Sequence, residues 1–373
     1  MMRKAVLSAT VVGAAALAFG VAGCSSSSNS SSSASGSSTS TTSSAVQVGI
    51  ILPDTVSSAR YVNADAPALT AECKAKALNC DIQNAQGVPA TQQSLADKMI
   101  NTEHVQVLII DPLNTTVGAA IEKEAHAAGV KTIDYDRLDT GASPDYYVSY
   151  NNTEVGQLQG QALVAAAKSM GITNPDVAIL DGATTDHNAV LFNQGYMSVL
   201  SPLIKAGTWK ESGEQWVTNW DNPTAGTDFM SMYNKDHNIN VVMVANDGMA
   251  NAVIQDLKNL GIAGKVVVSG QDASASGLQN ILSGDQSFSI YKAAKGEAVP
   301  AVDLAAQIIS GNVTDTFTSV TDPTNNSQVK SILGTPVVIT KSNIDAPIKG
   351  GDDKLSDVCT SAFAAACSAA GLQ

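Results

Sequence analysis

Residues 105–136 read VQVLIIDPLNTTVGAAIEKEAHAAGVKTIDYD. A β-branched apolar run at 105–111 stops at Asp111-Pro112, an Ala-rich stretch at 117–128 stops before Gly129, and a second run at 130–136 ends in Asp136 and Arg137. A run apolar on both alternating faces suits a strand covered by helices on either side, as in a parallel sheet. Glycine just past a helical stretch marks a helix end, because it accepts the left-handed backbone found there. Strand, helix, strand, with short joints, is the unit from which parallel α/β sheets are built.

The same unit recurs outward in both directions. Further strand-like runs lie at 46–52, 146–150, 177–181, 241–246, 266–270, 288–292 and 336–340, and helical stretches at 91–100, 154–170, 189–204 and 250–260. Gly171 and Gly261 close two of these helices as Gly129 closes the first. The pattern predicts an α/β protein with parallel sheets flanked by helices. Its strands end in polar residues: Asp54, Asp111, Asp136-Arg137, Asn151-Asn152, Asp181, Asn246-Asp247 and Gln271-Asp272. Ligand crevices of open α/β sheets lie outside the carboxyl ends of the strands. Asp and Asn are also favoured helix caps. The repetition in both halves of the chain tilts the reading towards a cleft between two similar lobes.

Composition narrows the function classes. The chain has 373 residues and a formal charge of −13, with 21 Lys plus Arg against 34 Asp plus Glu. A duplex binder needs a dense cationic footprint to replace phosphate counterions, so no nucleic-acid partner is expected. The prior of about 150 residues per domain suggests two domains. Arg3 and Lys4, an apolar stretch at 5–22, then Gly23-Cys24 give the order of a secretory signal. Residues 21–24 are similar to a bacterial lipobox, which implies cleavage after residue 23 and lipid attachment at Cys24. Removing 1–23 takes two cations and no anions, leaving −15. Residues 25–44 hold 14 Ser and 3 Thr and nothing able to build a core, so 24–45 reads as a tether. Attachment to the membrane is expected through lipid alone, on the extracytoplasmic face.

Cys73, Cys80, Cys359 and Cys367 remain, an even number that favours disulfides outside the cytoplasm. Four cysteines allow three pairings. The short separations favour Cys73–Cys80 and Cys359–Cys367. No metal is expected, since neither these spacings nor the four histidines give a ligand cluster. The phosphate-loop, GxGxxG, GxSxG and HExxH motifs are absent from the sequence. A secreted α/β chain with polar strand ends and no nucleophile points to holding a small molecule rather than transforming it, with no cofactor.

Four segments then stand in a familiar order: Ile133-Asp134-Tyr135-Asp136-Arg137, Tyr147-Val148-Ser149-Tyr150-Asn151-Asn152, Gly213-Glu214-Gln215-Trp216-Val217 and Ser269-Gly270-Gln271-Asp272-Ala273. From about residue 46 to 344 the chain resembles the sugar-binding proteins of ABC importers, most closely the D-xylose-binding group, with the type I periplasmic binding protein fold. The resemblance implies two Rossmann-like lobes joined by a three-segment hinge near 150–153, 291–294 and 336–339, with the ligand cleft between them. One lobe would take residues 46–150 plus 294–336, the other 151–293 plus 337–373. It also implies a monomer that captures a monosaccharide, D-xylose first, and delivers it to a membrane permease. A sugar sensor serving a signalling partner would use the same site.

Carried over residue by residue, the resemblance makes Arg60, Tyr61, Asp136, Arg137, Asp186, Asn188, Trp220, Asn246, Asp272 and Lys292 the ligand-binding set. The chemistry suits a pyranose. Each hydroxyl both donates and accepts, so carboxylates and amides pair with it while Arg and Lys donate. An aromatic face suits the apolar face of the ring. Two departures bear on ligand identity: Tyr61 stands where the group carries Trp, and His187 where it carries Asn. D-glucose or another monosaccharide therefore stays open beside D-xylose. Trp216 is read as a core residue.

Overall fold

The computed structural model describes residues 45–372. The signal at 1–23, the lipidation site Cys24 and the tether up to residue 44 lie outside the described residues. The apolar runs become strands in chain order: β1 (Val48–Leu52), β2 (Cys80–Asn84), β3 (Val107–Ile110), β4 (Lys131–Tyr135) and β5 (Tyr146–Tyr150), then β6 (Asp176–Asp181), β7 (Lys210–Trp216), β8 (Val241–Val244) and β9 (Val267–Val268). After them come β10 (Ser289–Tyr291), β11 (Thr318–Thr321), β12 (Gln328–Gly334) and β13 (Val337–Ile339).

Two α/β sheets result. The first has the order β11-β12-β5-β4-β3-β1-β2, parallel except for the β11–β12 pair. The second is β7-β6-β8-β9, parallel throughout. Strands β1, β3, β6 and β8 are buried at every position, which is why their sequences, apart from the aspartates at the two ends of β6, are apolar without alternation. On one face of the first sheet Leu69, Val302 and Leu304 pack over Ile50 and Ile109. On the other Met99, Ile100 and Ile121 pack over Ile51 and Leu108. Phe192, Tyr196, Phe229 and Leu257 fill the core of the second sheet.

The chain leaves the first sheet after β5, returns through β10 into the helix Lys295–Ser310, and leaves again after β12 into β13. Strands β10 and β13 pair antiparallel in a sheet of their own, so the run read at 336–340 joins neither large sheet. The C-terminal segment packs Ile344, Val358 and Cys367 onto Leu278, Ile281 and Tyr291. Disulfides join Cys73 to Cys80 and Cys359 to Cys367. No described helix is long and apolar enough to cross a membrane.

Four strands escape a reading based on apolar runs. Strands β2, β7 and β11 are sheet edges whose residues are half-buried or exposed, and β12 alternates exposed and buried residues at its start. Polar residues suffice on such strands because one side meets water. Trp216 ends β7 only partly buried against the core, and Trp220 falls in a separate short 3-10 turn, so the two do not share a helical face.

Candidate functional site

Parallel pairing brings the ends of β1, β3 and β4 to one edge of the first sheet, and the ends of β6, β8 and β9 to one edge of the second. Residues from both edges meet. All ten residues of the expected set line one cavity, together with Ser57, Ser58, Phe192 and Gln271. The space left among them is about 20 Å³, room for one water molecule.

Asp136 is the hub. It follows β4 with a left-handed backbone, φ +59°. Its carboxylate accepts from Lys292 Nζ at 2.7 Å, Tyr61 OH at 3.1 Å and Arg60 Nη1 at 3.4 Å. Burial pushes its pKa up, but Lys292, Arg60 and Arg137 together outweigh that and hold it well below the usual carboxylate range. It is therefore an ionised acceptor inside a closely packed site. Lys292 is as deeply buried. Burial alone would lower its pKa, and Asp136 reverses the shift and keeps it cationic. Its Nζ also stands 5.6 Å from the centre of the Phe192 ring.

The two arginines are braced from behind. Arg60 makes a bidentate pair with Asp65 at 2.8 Å on both arms and a further ion pair with Glu297 from the returning helix. Burial pushes Glu297 up to about 8 against the pull of Arg60. Arg137 Nε lies 2.9 Å from Asp186 of the opposite wall, and its Nη2 donates to Tyr61 OH at 3.2 Å. Both guanidinium groups lie within 6 Å of the Tyr61 ring centre, at 5.7 and 5.6 Å.

The wall from the second sheet is built of caps. Asp186 and Asn246 each cap a helix, accepting from Asn188 N and Met249 N at 2.9 Å. Capping and facing the cavity are thus compatible in one side chain. Asn246 caps with its oxygen and donates from Nδ2 to the Ser57 carbonyl across the cleft at 3.0 Å. Asn188 Nδ2 likewise reaches the Asp136 carbonyl at 3.0 Å, and Ser58 donates to Asp272 at 2.6 Å. Trp220 donates from its indole to Asp186 at 3.0 Å, and its ring occupies the place a side chain at position 182 would take. A Cβ on Gly182 would lie 2.1 Å from it. His187 is half-buried, does not line the cavity, and has its pKa lowered by burial.

Sequence reasoning missed Ser57, Ser58, Phe192 and Gln271. Gln271 lies inside the quoted Ser269–Ala273 segment, and Phe192 is four residues past Asn188 on the same helix. The serines carry no signal beyond their place ahead of Arg60. Among the described residues no group of three or more His, Cys, Asp or Glu is arranged to hold a metal.

Comparison with known proteins gives the family. A family profile described as a periplasmic binding protein domain matches residues 48–312. The chain is similar to the D-xylose-binding periplasmic protein of Escherichia coli K12, at 35% identity over 279 residues, which is 74% of this chain and 82% of that one. It is similar to the multiple sugar-binding periplasmic receptor ChvE of Rhizobium radiobacter, at 29% identity over 319 residues, 82% of this chain and 89% of that one. A solved carbohydrate transporter solute binding protein from Chloroflexus aurantiacus, in complex with D-glucose, superposes with a TM-score of 0.75 at 27% identity. The match covers 83% of this chain and 97% of that chain.

Proposed function

The chain belongs to the periplasmic binding protein family, among the sugar-binding proteins of ABC importers, and from that premise we propose that it captures one monosaccharide, D-xylose first, for a membrane permease. The observation that carries the reading is the hub at Asp136. An ionised carboxylate flanked by Lys292 and Arg60 sits where both walls of the cleft meet. Sugar hydroxyls exchange hydrogen bonds with such charged groups, and charge-assisted bonds help replace the hydration the sugar gives up. Trp220, Tyr61 and Phe192 supply the apolar surface for the ring.

The expected set takes these roles. Arg60, Tyr61, Asp136 and Arg137 bind from the first lobe, Asp186, Asn188, Trp220, Asn246 and Asp272 from the second, and Lys292 from the hinge. The lobes divide at the three passages between the sheets, after β5, after β10 and after β12. With so little space among the side chains, a sugar enters by parting contacts such as Ser58–Asp272 and Asn188–Asp136. The lobes then close on the sugar, and its contacts to both shift the hinge equilibrium. Cys24 carries the lipid and the serine-rich segment tethers the body to the membrane. Its relatives are solute-binding proteins and not enzymes.

D-glucose is the second reading, because the Chloroflexus protein was solved in complex with it and Tyr61 departs from the xylose-binding pattern. A thermal-shift screen against pentoses and hexoses tests both. The true ligand at a hundredfold excess over its dissociation constant stabilises the fold by roughly 2.7 kcal/mol. No response to any monosaccharide would remove the proposal.

A further inference from the structure

Asp247 does not line the cavity, yet it is 1% exposed and accepts four hydrogen bonds. Its Oδ1 takes Gln286 Nε2 at 2.7 Å and the Ser289 hydroxyl at 2.8 Å. Its Oδ2 takes the Ser274 N–H at 2.8 Å and the Ser274 hydroxyl at 3.1 Å. Its own N–H donates to the Gln271 carbonyl at 3.0 Å. The surrounding chain leaves room for this carboxylate: a Cβ on Gly270 would lie 2.1 Å from Oδ1, and one on Gly277 2.1 Å from Oδ2.

Between the two gripped positions stand Asp272, at φ +91°, and Ala273, at φ +50°. Both lie in the left-handed region that L-residues seldom occupy, and such backbone persists only where its surroundings over-determine it. Asp247 holds residue 271 on one side and residue 274 on the other. Ser289 completes the clamp, accepting the Ala273 N–H at 2.9 Å while donating to Asp247.

We infer that Asp247 is a positioning residue for sugar capture, fixing the 271–274 turn so that the Asp272 carboxylate points into the cleft. The inference rests on the reading of Asp272 as a sugar ligand. An acceptor-only group is required here. The Ser274 N–H can only donate, and Gln286 Nε2 is held in its orientation by a second bond to the Phe288 carbonyl at 3.1 Å. An Asn at 247 would set its own NH₂ against one of these donors. Protonation removes an acceptor in the same way. Burial and the facing charge of Asp272 push Asp247 up to about 7, so the clamp loosens as pH falls below that value.

Calorimetry on the full chain with D-xylose and D-glucose tests this. Wild type should lose affinity for the sugar it binds as pH falls from 8 to 6. D247N should bind at least about tenfold more weakly at pH 8, the loss expected for a broken hydrogen-bonded charge, and show less change with pH. S289A keeps Asp247 and cuts its link to Ala273, and should also weaken binding several-fold. A folded D247N within twofold of wild type, with the same pH profile, overturns the inference. If D247N does not fold, S289A within twofold of wild type overturns it. A wild type that binds neither sugar contradicts the proposed ligands themselves, and the inference falls with them.

Discussion

Two buried carboxylates, Asp134 and Asp136, stand two residues apart at the end of β4. Asp136 is surrounded by Lys292, Arg60 and Arg137 and stays ionised. Asp134 meets Glu122 and Asp139, and among the described residues no ion pair is formed by Glu122, Asp134 or Asp139. Burial, reinforced by its acidic neighbours, pushes Asp134 up, while Glu122 rises to about 7 and Asp139 to about 9. Glu122 and Asp134 act on each other, and Glu122 Oε1 and Asp134 Oδ1 are both buried without a hydrogen-bond partner among the described residues, a want that a retained proton would meet. Burial is common to both groups. The cations at 292, 60 and 137 make one a charged acceptor facing the cleft, and their absence leaves the other among acidic neighbours that favour its protonated form.

The largest expected effect breaks the first half of this contrast. Asp136→Asn keeps the shape and removes the charge, leaving Lys292 and Arg60 without their common partner. Removing one side of a buried ion pair typically costs about 3–5 kcal/mol, so sugar binding should fall by more than a hundredfold in calorimetry. A loss under tenfold would deny Asp136 its central role.

The second half gives a smaller effect of defined sign. Carboxyl groups whose folded pKa is raised hold protons that the unfolded chain releases near pH 4, so stability is lost as pH rises from there through the folded pKa. For Glu122 that window runs from its ordinary value up to about 7. Urea unfolding of wild type should therefore show stability declining between pH 5 and 8, and Glu122→Gln should flatten the decline by on the order of 1–3 kcal/mol. An unchanged slope would mean that the acidic cluster stores no proton at Glu122.

At the uncharged residues of the cleft the losses should be smaller than at Asp136. Trp220→Ala removes the ring surface and should cost about 1–3 kcal/mol of sugar binding, taking aromatic stacking on nucleic-acid bases as the guide. Calorimetry giving a loss above that at Asp136 would invert the ranking of the two residues. Smallest of all is Asn222→Ala. Its amide bonds the Val56 carbonyl across the cleft at 3.2 Å, outside the cavity. Losing one neutral hydrogen bond of about 1 kcal/mol should weaken binding no more than fivefold and speed sugar release in stopped-flow fluorescence. An affinity unchanged within error would mean that this bond contributes nothing to closure.

The strands that position the cleft were readable because both their faces are covered. Val107–Ile110 and Val241–Val244 have no polar residue to hide them. Cys80–Asn84 and Lys210–Trp216, edge strands wet on one side, carry no such run. The ten expected cavity residues came from polar strand ends together with the resemblance, and the fold gathers them around one space. Ser57 and Ser58 were not readable, because a loop serine is too common to signal anything. Nor was the acidic cluster, since Glu122, Asp134 and Asp139 come from a helix, a strand and a loop that only the tertiary fold brings together. Asp247 was visible at a strand end, but its grip on residues 271 and 274 depends on chain more than twenty residues away.

A monosaccharide held at Asp136 between the two walls is tested most directly by titrating the wild-type protein calorimetrically with D-xylose, and D-glucose alongside, at neutral pH. Saturable binding of one sugar per chain, lost in Asp136→Asn, is the predicted result. The absence of binding heat with either sugar, extended to a panel of pentoses and hexoses, would contradict it.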